Sequence, residues 1–179
     1  MNPVSHFKMQ FVLSIICLVL IAGCNTSTDS GSAGTMAAAT KYAGPTNKDV
    51  YEVFNTGNFA KLDSIIAKDG IDHTSMGDIH GLDSIKASIK GFREAFPDIK
   101  MEAMEEAIQG DVIFTRCHFT GTNTGMMNGM PATNKKVDMI GVDVVKVKDG
   151  KLYEHWGYND NLEFFKQLGV NPMAPAPKK

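Results

Sequence analysis

A change of period at Pro97 constrains this chain more than any other feature. Before it, Ile85, Ile89, Phe92 and Phe96 recur three and four residues apart, which predicts one long helix opening at Gly81-Leu82-Asp83-Ser84. Pro97 stops that helix, because its ring removes a donor and clashes with the preceding turn. After it come four runs rich in β-branched residues, at 99–108, 112–121, 137–147 and 152–158. Short turns at Gln109-Gly110-Asp111 and Lys148-Asp149-Gly150 join two pairs of these runs as hairpins. Helices first and an antiparallel meander second predict an α+β fold rather than alternating βαβ units. One curved, mainly antiparallel sheet wrapped around the helices would bury both apolar faces.

The remaining elements fit around that frame. Thr46-Asn47-Lys48-Asp49 offers capping chemistry, and Val50, Tyr51, Val53 and Phe54 make a helical apolar stripe that ends at Gly57-Asn58. Residues 59–66 suggest a second short helix, the pair packing as a lid. A short strand within 67–75 holds His73, residues 122–134 read as a longer loop expected to be mobile, and 161–168 is a closing helix. Beyond Pro172 the chain is expected to fray. There is no internal repeat and no glycine-rich phosphate loop.

At 179 residues and 43% hydrophobic, the chain can build one domain plus appendages, placed at 46–170. A formal charge of −2, with no basic stripe, argues against a nucleic-acid partner. Residues 11–22 form an apolar run too short to span a bilayer stably, preceded by Lys8 and followed by Gly23-Cys24. The order Leu20-Ile21-Ala22-Gly23-Cys24 resembles a bacterial lipobox. It implies a signal peptide at 1–23, lipidation of Cys24, and export to the bacterial cell envelope on a membrane anchor. Residues 24–45, rich in Ser, Thr, Gly and Ala, would be a flexible tether, and 171–179 a disordered tail. With Cys17 removed and Cys24 acylated, Cys117 stands alone as a small core residue on a strand.

Chemistry concentrates in the stretch from Lys148 to Asp160. By strict alternation Leu152, Glu154, Trp156, Tyr158 and Asp160 share one face, and Tyr153, His155, Gly157 and Asn159 the other. The first face holds the apolar bulk and is expected to point inward. Two carboxylates would then sit on an apolar wall, where desolvation raises a carboxyl pKa and suits it to proton transfer. Glu154 has a second reading as the ion-pair partner of Arg116, and Asp160 as the N-cap of the closing helix. Arg116 and His118 are in phase on one strand, but neither face of that strand is clearly polar. Asp143 is in phase with Val137, Met139, Val145 and Val147 and so is expected to reach a cavity. His73 stands beside Asp72, either facing the same space or pairing with that neighbour. The five histidines form no close pair with adjoining thiols, so no metal site is indicated, and no serine-hydrolase elbow is present.

Taken in order, these residues resemble one family. His73, Gly81 opening a helix, Phe92-Arg93-Glu94-Ala95-Phe96-Pro97-Asp98, and Gly110-Asp111-Val112 with Arg116 come first. Gly121-Thr122-Asn123-Thr124-Gly125, Asp149-Gly150-Lys151-Leu152-Tyr153-Glu154-His155-Trp156 through Asp160, and Phe165-Lys166-Gln167-Leu168-Gly169 complete the set. Together they are similar to the SnoaL-like polyketide (ester) cyclases of the nuclear transport factor 2-like superfamily. The resemblance implies a cone-like α+β barrel around a deep apolar cavity, no metal and no organic cofactor, and a homodimer. It also implies aldol-type ring closure with Asp160 as general acid/base and His73 in the pocket, with Trp156, Tyr158, His118, Arg116 and Asp143 as substrate-binding candidates. The second histidine of such cyclases has no match by position, Asp143 and His118 standing nearest. The expected partner is a small hydrophobic or carbonyl-containing ligand. Two functions remain: a cyclase- or isomerase-type enzyme, or a lipid-anchored protein that binds such a ligand without turning it over.

Overall fold

The computed structural model describes residues 42–171. The expected signal segment with Cys24, nearly all of the expected tether and nearly all of the expected tail lie outside the described residues.

Helix α1 (Asn47–Thr56) starts where local chemistry satisfies its free N–H groups. The Thr46 hydroxyl accepts from the Lys48 N–H at 3.2 Å, and the Asp49 carboxylate accepts from the Thr46 N–H at 3.0 Å. Gly57, at φ +75°, ends it in the left-handed conformation. A 3-10 turn (Phe59–Lys61) and the single-turn α2 (Leu62–Ile65) lead into β1 (Ile66–Thr74). Strand β2 (Gly77–His80), which the sequence pattern did not reveal, turns back on β1. Helix α3 (Leu82–Ala95) then buries Leu82, Ile85 and Ile89 along one stripe and stops before Pro97.

Strands β3 (Lys100–Gln109), β4 (Val112–Thr122), β5 (Lys136–Lys148) and β6 (Lys151–Asn159) form the meander, and α4 (Asn161–Gln167) closes the domain. Asp149 and Gly150 both have positive φ, as a two-residue hairpin turn between β5 and β6 requires. The sheet order is β2-β1-β6-β5-β4-β3. All neighbours are antiparallel except β1 and β6, which run parallel. The sheet is open, with β2 and β3 as its edges, and so does not close into the expected barrel. The Asn55 side chain of α1 protects edge β3 by pairing with both the N–H and the C=O of Met101, at 2.8 and 2.9 Å.

Two apolar clusters fill the concave side. One contains Val53, Leu62, Ile85, Ile89, Val145 and Leu152, and the other Phe96, Ile99, Phe119, Val137, Met139 and Leu168. The loop expected to be mobile is instead anchored. Buried Asn123 donates to the carbonyls of Ala95 and Gly125 at 3.3 and 2.9 Å, and accepts from the Thr133 N–H at 2.9 Å. Gly125 passes so close to α3 that a Cβ there would lie 2.1 Å from the Glu94 carbonyl oxygen, which leaves room only for glycine.

One irregularity decides the site. Between the β5–β6 turn and mid-strand, Val147 pairs with Leu152 but Lys146 pairs with Glu154, so Tyr153 is an extra residue in β6. Such a bulge advances the alternation by one residue. Leu152 still faces the core opposite Val147. Beyond the bulge, His155, Gly157 and Asn159 face inward opposite Val145, Asp143 and Gly141. The expected inward face of Glu154, Trp156 and Tyr158 is thereby corrected: they lie on the outer side of the sheet.

Candidate active site in the cavity between helices and sheet

Between the two apolar clusters lies a cavity of about 240 Å³. Its walls are mostly apolar, with Phe54 of α1, Ile85 and Phe92 of α3, Phe119 of β4 and Leu152 of β6 among the lining residues. Four polar side chains meet on one wall. Tyr51, on the buried stripe of α1, donates its hydroxyl to Asp143 Oδ2 at 2.5 Å. His155 of β6 places Nδ1 2.7 Å from Asp72 Oδ1 and Nε2 3.5 Å from Asp143 Oδ1. Asp72 reaches His155 because parallel pairing of β1 with β6 sets the two residues side by side. Below them, Asn47 donates to Thr115 Oγ1 at 2.9 Å and to the Asp143 carbonyl at 3.3 Å, tying α1 to β4 and β5.

These contacts set the charges. Burial works to raise the Asp143 carboxyl pKa, but His155, Tyr51 and Cys117 hydrogen-bond the charged form and hold it below the ordinary carboxylate value. Burial works to lower the His155 pKa, yet the carboxylates of Asp143 and Asp72 prevail and push it up to about 9. At neutral pH the site is therefore an imidazolium between two carboxylates. Its ring is 37% exposed, and it faces the cavity. Burial first, and the Asp143 charge second, push the Tyr51 hydroxyl well above its usual range and the Cys117 thiol to about 11. Cys117 is buried on β4, as expected, and its thiol is unsuited to nucleophilic work. No set of three or more His, Cys, Asp or Glu side chains is placed to hold a metal among the described residues.

Of the residues singled out in sequence, Asp143 alone reaches this wall. Trp156 lies outside the cavity, stacked on His73 with centroids 4.6 Å apart and planes at 13°, and Lys146 Nζ stands 5.2 Å from its ring. His73 pairs with Asp78 at 2.8 Å rather than with Asp72. Arg116 pairs with Glu105 rather than Glu154, which bonds Lys146 at 2.9 Å. His118 pairs with Asp138 at 2.8 Å, and Tyr158 is 61% exposed. Asp160 is exposed and caps α4, its Oδ1 accepting from the Glu163 N–H at 2.9 Å. Replacing it by Ala should cost about 0.5–1 kcal/mol in a urea melt, the usual worth of an exposed cap. A loss beyond about 2 kcal/mol would mean that Asp160 does more than cap.

Residues 46–168 match the family model of the SnoaL-like polyketide cyclases, well over half of the chain. The chain belongs to that family. It is 24% identical over 125 residues to the aklanonic acid methyl ester cyclase DnrD of Streptomyces peucetius, covering 66% of this chain and 84% of that one. It is 21% identical over 140 residues to DauD, the enzyme of the same name from Streptomyces sp. (strain C5), covering 72% and 87%. Among solved structures, TsrD of Streptomyces laurentii superposes with a TM-score of 0.64 at 21% identity, covering 70% of this chain and 92% of that one. IdmH of Streptomyces antibioticus gives 0.58 at 27% identity, covering 69% and 96%. The fold is thus nuclear transport factor 2-like.

Sequence reasoning missed Tyr51, Asp72 and His155 as residues of the cavity wall. Tyr51 sat in the stripe read as core, and His155 sat in the phase read as outward. The histidine that strict alternation turned outward is the one the cavity holds.

Proposed function

We propose that this cavity performs acid–base chemistry on a small carbonyl compound, of the aldol cyclase or isomerase type, with Asp143 and His155 as the reacting pair. The observation that carries the reading is the Asp72–His155–Asp143–Tyr51 set on the wall of an otherwise apolar cavity. Asp143 would take the proton α to a carbonyl, forming its own O–H bond while the C–H electron pair moves onto the carbonyl oxygen. A carboxylate so well stabilised is a weak base by itself. The gain comes from His155: as Asp143 loses its charge, the Nε2–H transfers its attraction to the oxygen that has acquired one. An interaction stronger in the transition state than in the ground state lowers the barrier. The resulting enolate either attacks a second carbonyl, whose oxygen takes the His155 proton, or is reprotonated at another carbon. Asp72 holds the ring by Nδ1, and Tyr51 holds the carboxylate.

Deuterium exchange into uncharged ketones such as acetophenone provides the test. Exchange faster than in buffer, and lost in His155→Gln, supports the reading. Equal exchange in wild type and variant refutes it, and a co-purified ligand recovered unchanged would then favour binding without turnover.

Two further parts of the proposal rest on other residues. The order Leu20-Ile21-Ala22-Gly23-Cys24 supports a lipid anchor on Cys24 and residence in the cell envelope. Labelled palmitate incorporated by the wild type and not by Cys24→Ser would support it, and equal labelling would count against it. The outer sheet face, where Phe114, Ile140, Val142 and Tyr158 are exposed, supports the expected homodimer. Light scattering should then report twice the chain mass for the wild type and one chain mass for Ile140→Glu.

A further inference from the structure

The charge inventory of the cavity narrows what can enter it. Among the lining residues, all of them described, there is no lysine or arginine. Asp72 and Asp143 are the acids whose side chains face it. Glu154 also borders it, but its carboxylate turns to the outer side of the sheet and pairs with Lys146 at 2.9 Å. His155 is the one positive lining group, and both of its ring nitrogens already face carboxylates, at 2.7 and 3.5 Å. Two carboxylates around one imidazolium leave the cavity a negative charge in excess. Ser88 and Asn159, which also line it, are neutral.

We infer that the cavity takes an uncharged or cationic molecule of about ten non-hydrogen atoms and rejects anions, free carboxylic acids included. The size follows from the volume: about 240 Å³ lies just below the roughly 300–1,000 Å³ of pockets that take drug-sized ligands. The charge selection follows from the position opposite His155 Nε2, which can balance one anion at a time. In the resting site that anion is Asp143. An enolate can replace it because Asp143 is neutralised as the enolate forms. A ligand that arrives already ionised meets both carboxylates at full charge. A like charge a few ångströms away, in surroundings of intermediate polarity, weakens binding by at least about tenfold. This ligand class rests on the proposed reading only in taking the cavity as the binding site; it does not require turnover.

Benzamide, benzoate and benzamidinium share one shape and size and differ in charge, which makes them suitable probes. Titration of each into the folded protein at neutral pH, followed by amide NMR shifts, reads affinity and location together. Benzamide and benzamidinium should shift resonances of lining residues such as Ile89 and Gly157, with benzoate at least about tenfold weaker. A Ser88→Lys variant, which places a positive charge at the cavity lining on an exposed position of α3, should narrow the ratio of benzamide to benzoate affinity. Benzoate binding as tightly as benzamide to the wild type would overturn the charge selection. Failure of all three to shift the lining would overturn the size. Exchange chemistry could fail while these affinities hold, so the two readings fail separately.

Discussion

Asp143→Asn is expected to lower α-proton exchange by about 10²–10⁴-fold, the usual contribution of a positioned acid–base group. The substitution keeps the size and shape of the side chain, and its amide oxygen can still accept from Tyr51. What disappears is the place for the abstracted proton. The charge that holds His155 protonated is also reduced, since Asp143 has the larger effect of the two carboxylates that raise its pKa. The fold should survive, because the Asn47 bond goes to the Asp143 backbone carbonyl rather than its carboxylate. A near-native melting curve must accompany the loss for it to count as chemistry. Tyr51→Phe offers the milder control: it removes one hydrogen bond to the carboxylate and leaves its charge, so the rate should fall by about tenfold or less. Exchange undiminished in folded Asp143→Asn would remove Asp143 from the mechanism.

The second large effect is on stability against pH. His155 rises from an ordinary 6.5 to about 9 in the folded protein. The folded state therefore holds this proton more tightly than the unfolded chain does. That stabilisation is fully present below about 6.5 and is lost as pH rises through about 9. Converted directly, the shift would be worth about 3 kcal/mol. Because 37% of the ring is exposed, screening reduces the expected value to about 2 kcal/mol. Urea melts between pH 6 and 10 should show the wild type losing that amount across the window. Below about pH 9 His155→Gln should be flat, because Gln carries no titrating proton. Above it both proteins lose stability together as the Cys117 thiol, pushed up to about 11 in the folded state, ionises in the unfolded chain. Parallel curves for the two proteins would show that the carboxylates do not hold the imidazolium as described. Asp143 acts in the opposite sense: its lowered pKa contributes stability above the ordinary carboxylate value that fades as pH falls below it.

The architecture was legible because each element carries its own signal. The stripe of α3, the stop at Pro97, the Asp-Gly turn and the clean alternation of β5 each act within a few residues, and all agree. Asp143 was found for the same reason, since β5 alternates without interruption. The anchored loop was not legible, because Asn123 bonds to Ala95, which lies 28 residues earlier in the chain. The ion pairs failed similarly. Charges four or forty residues apart look equally available until the sheet order selects Glu105 for Arg116, Asp78 for His73 and Lys146 for Glu154.

The Pro97 change of period, with the turn and cap residues around it, determined by itself that this chain folds as helices packed on a meander. Those signals are local, and tertiary contacts had only to agree with them. Which face of β6 meets the cavity was decided by the tertiary structure alone. Leu152 faces the core against Val147, and the side chains beyond must pack against β5 in its own register. Nothing in Lys151-Leu152-Tyr153-Glu154 marks the extra residue that makes both possible. A single bulge exchanged Trp156 for His155. The parallel pairing of β1 then set Asp72 beside that histidine, from 83 residues away.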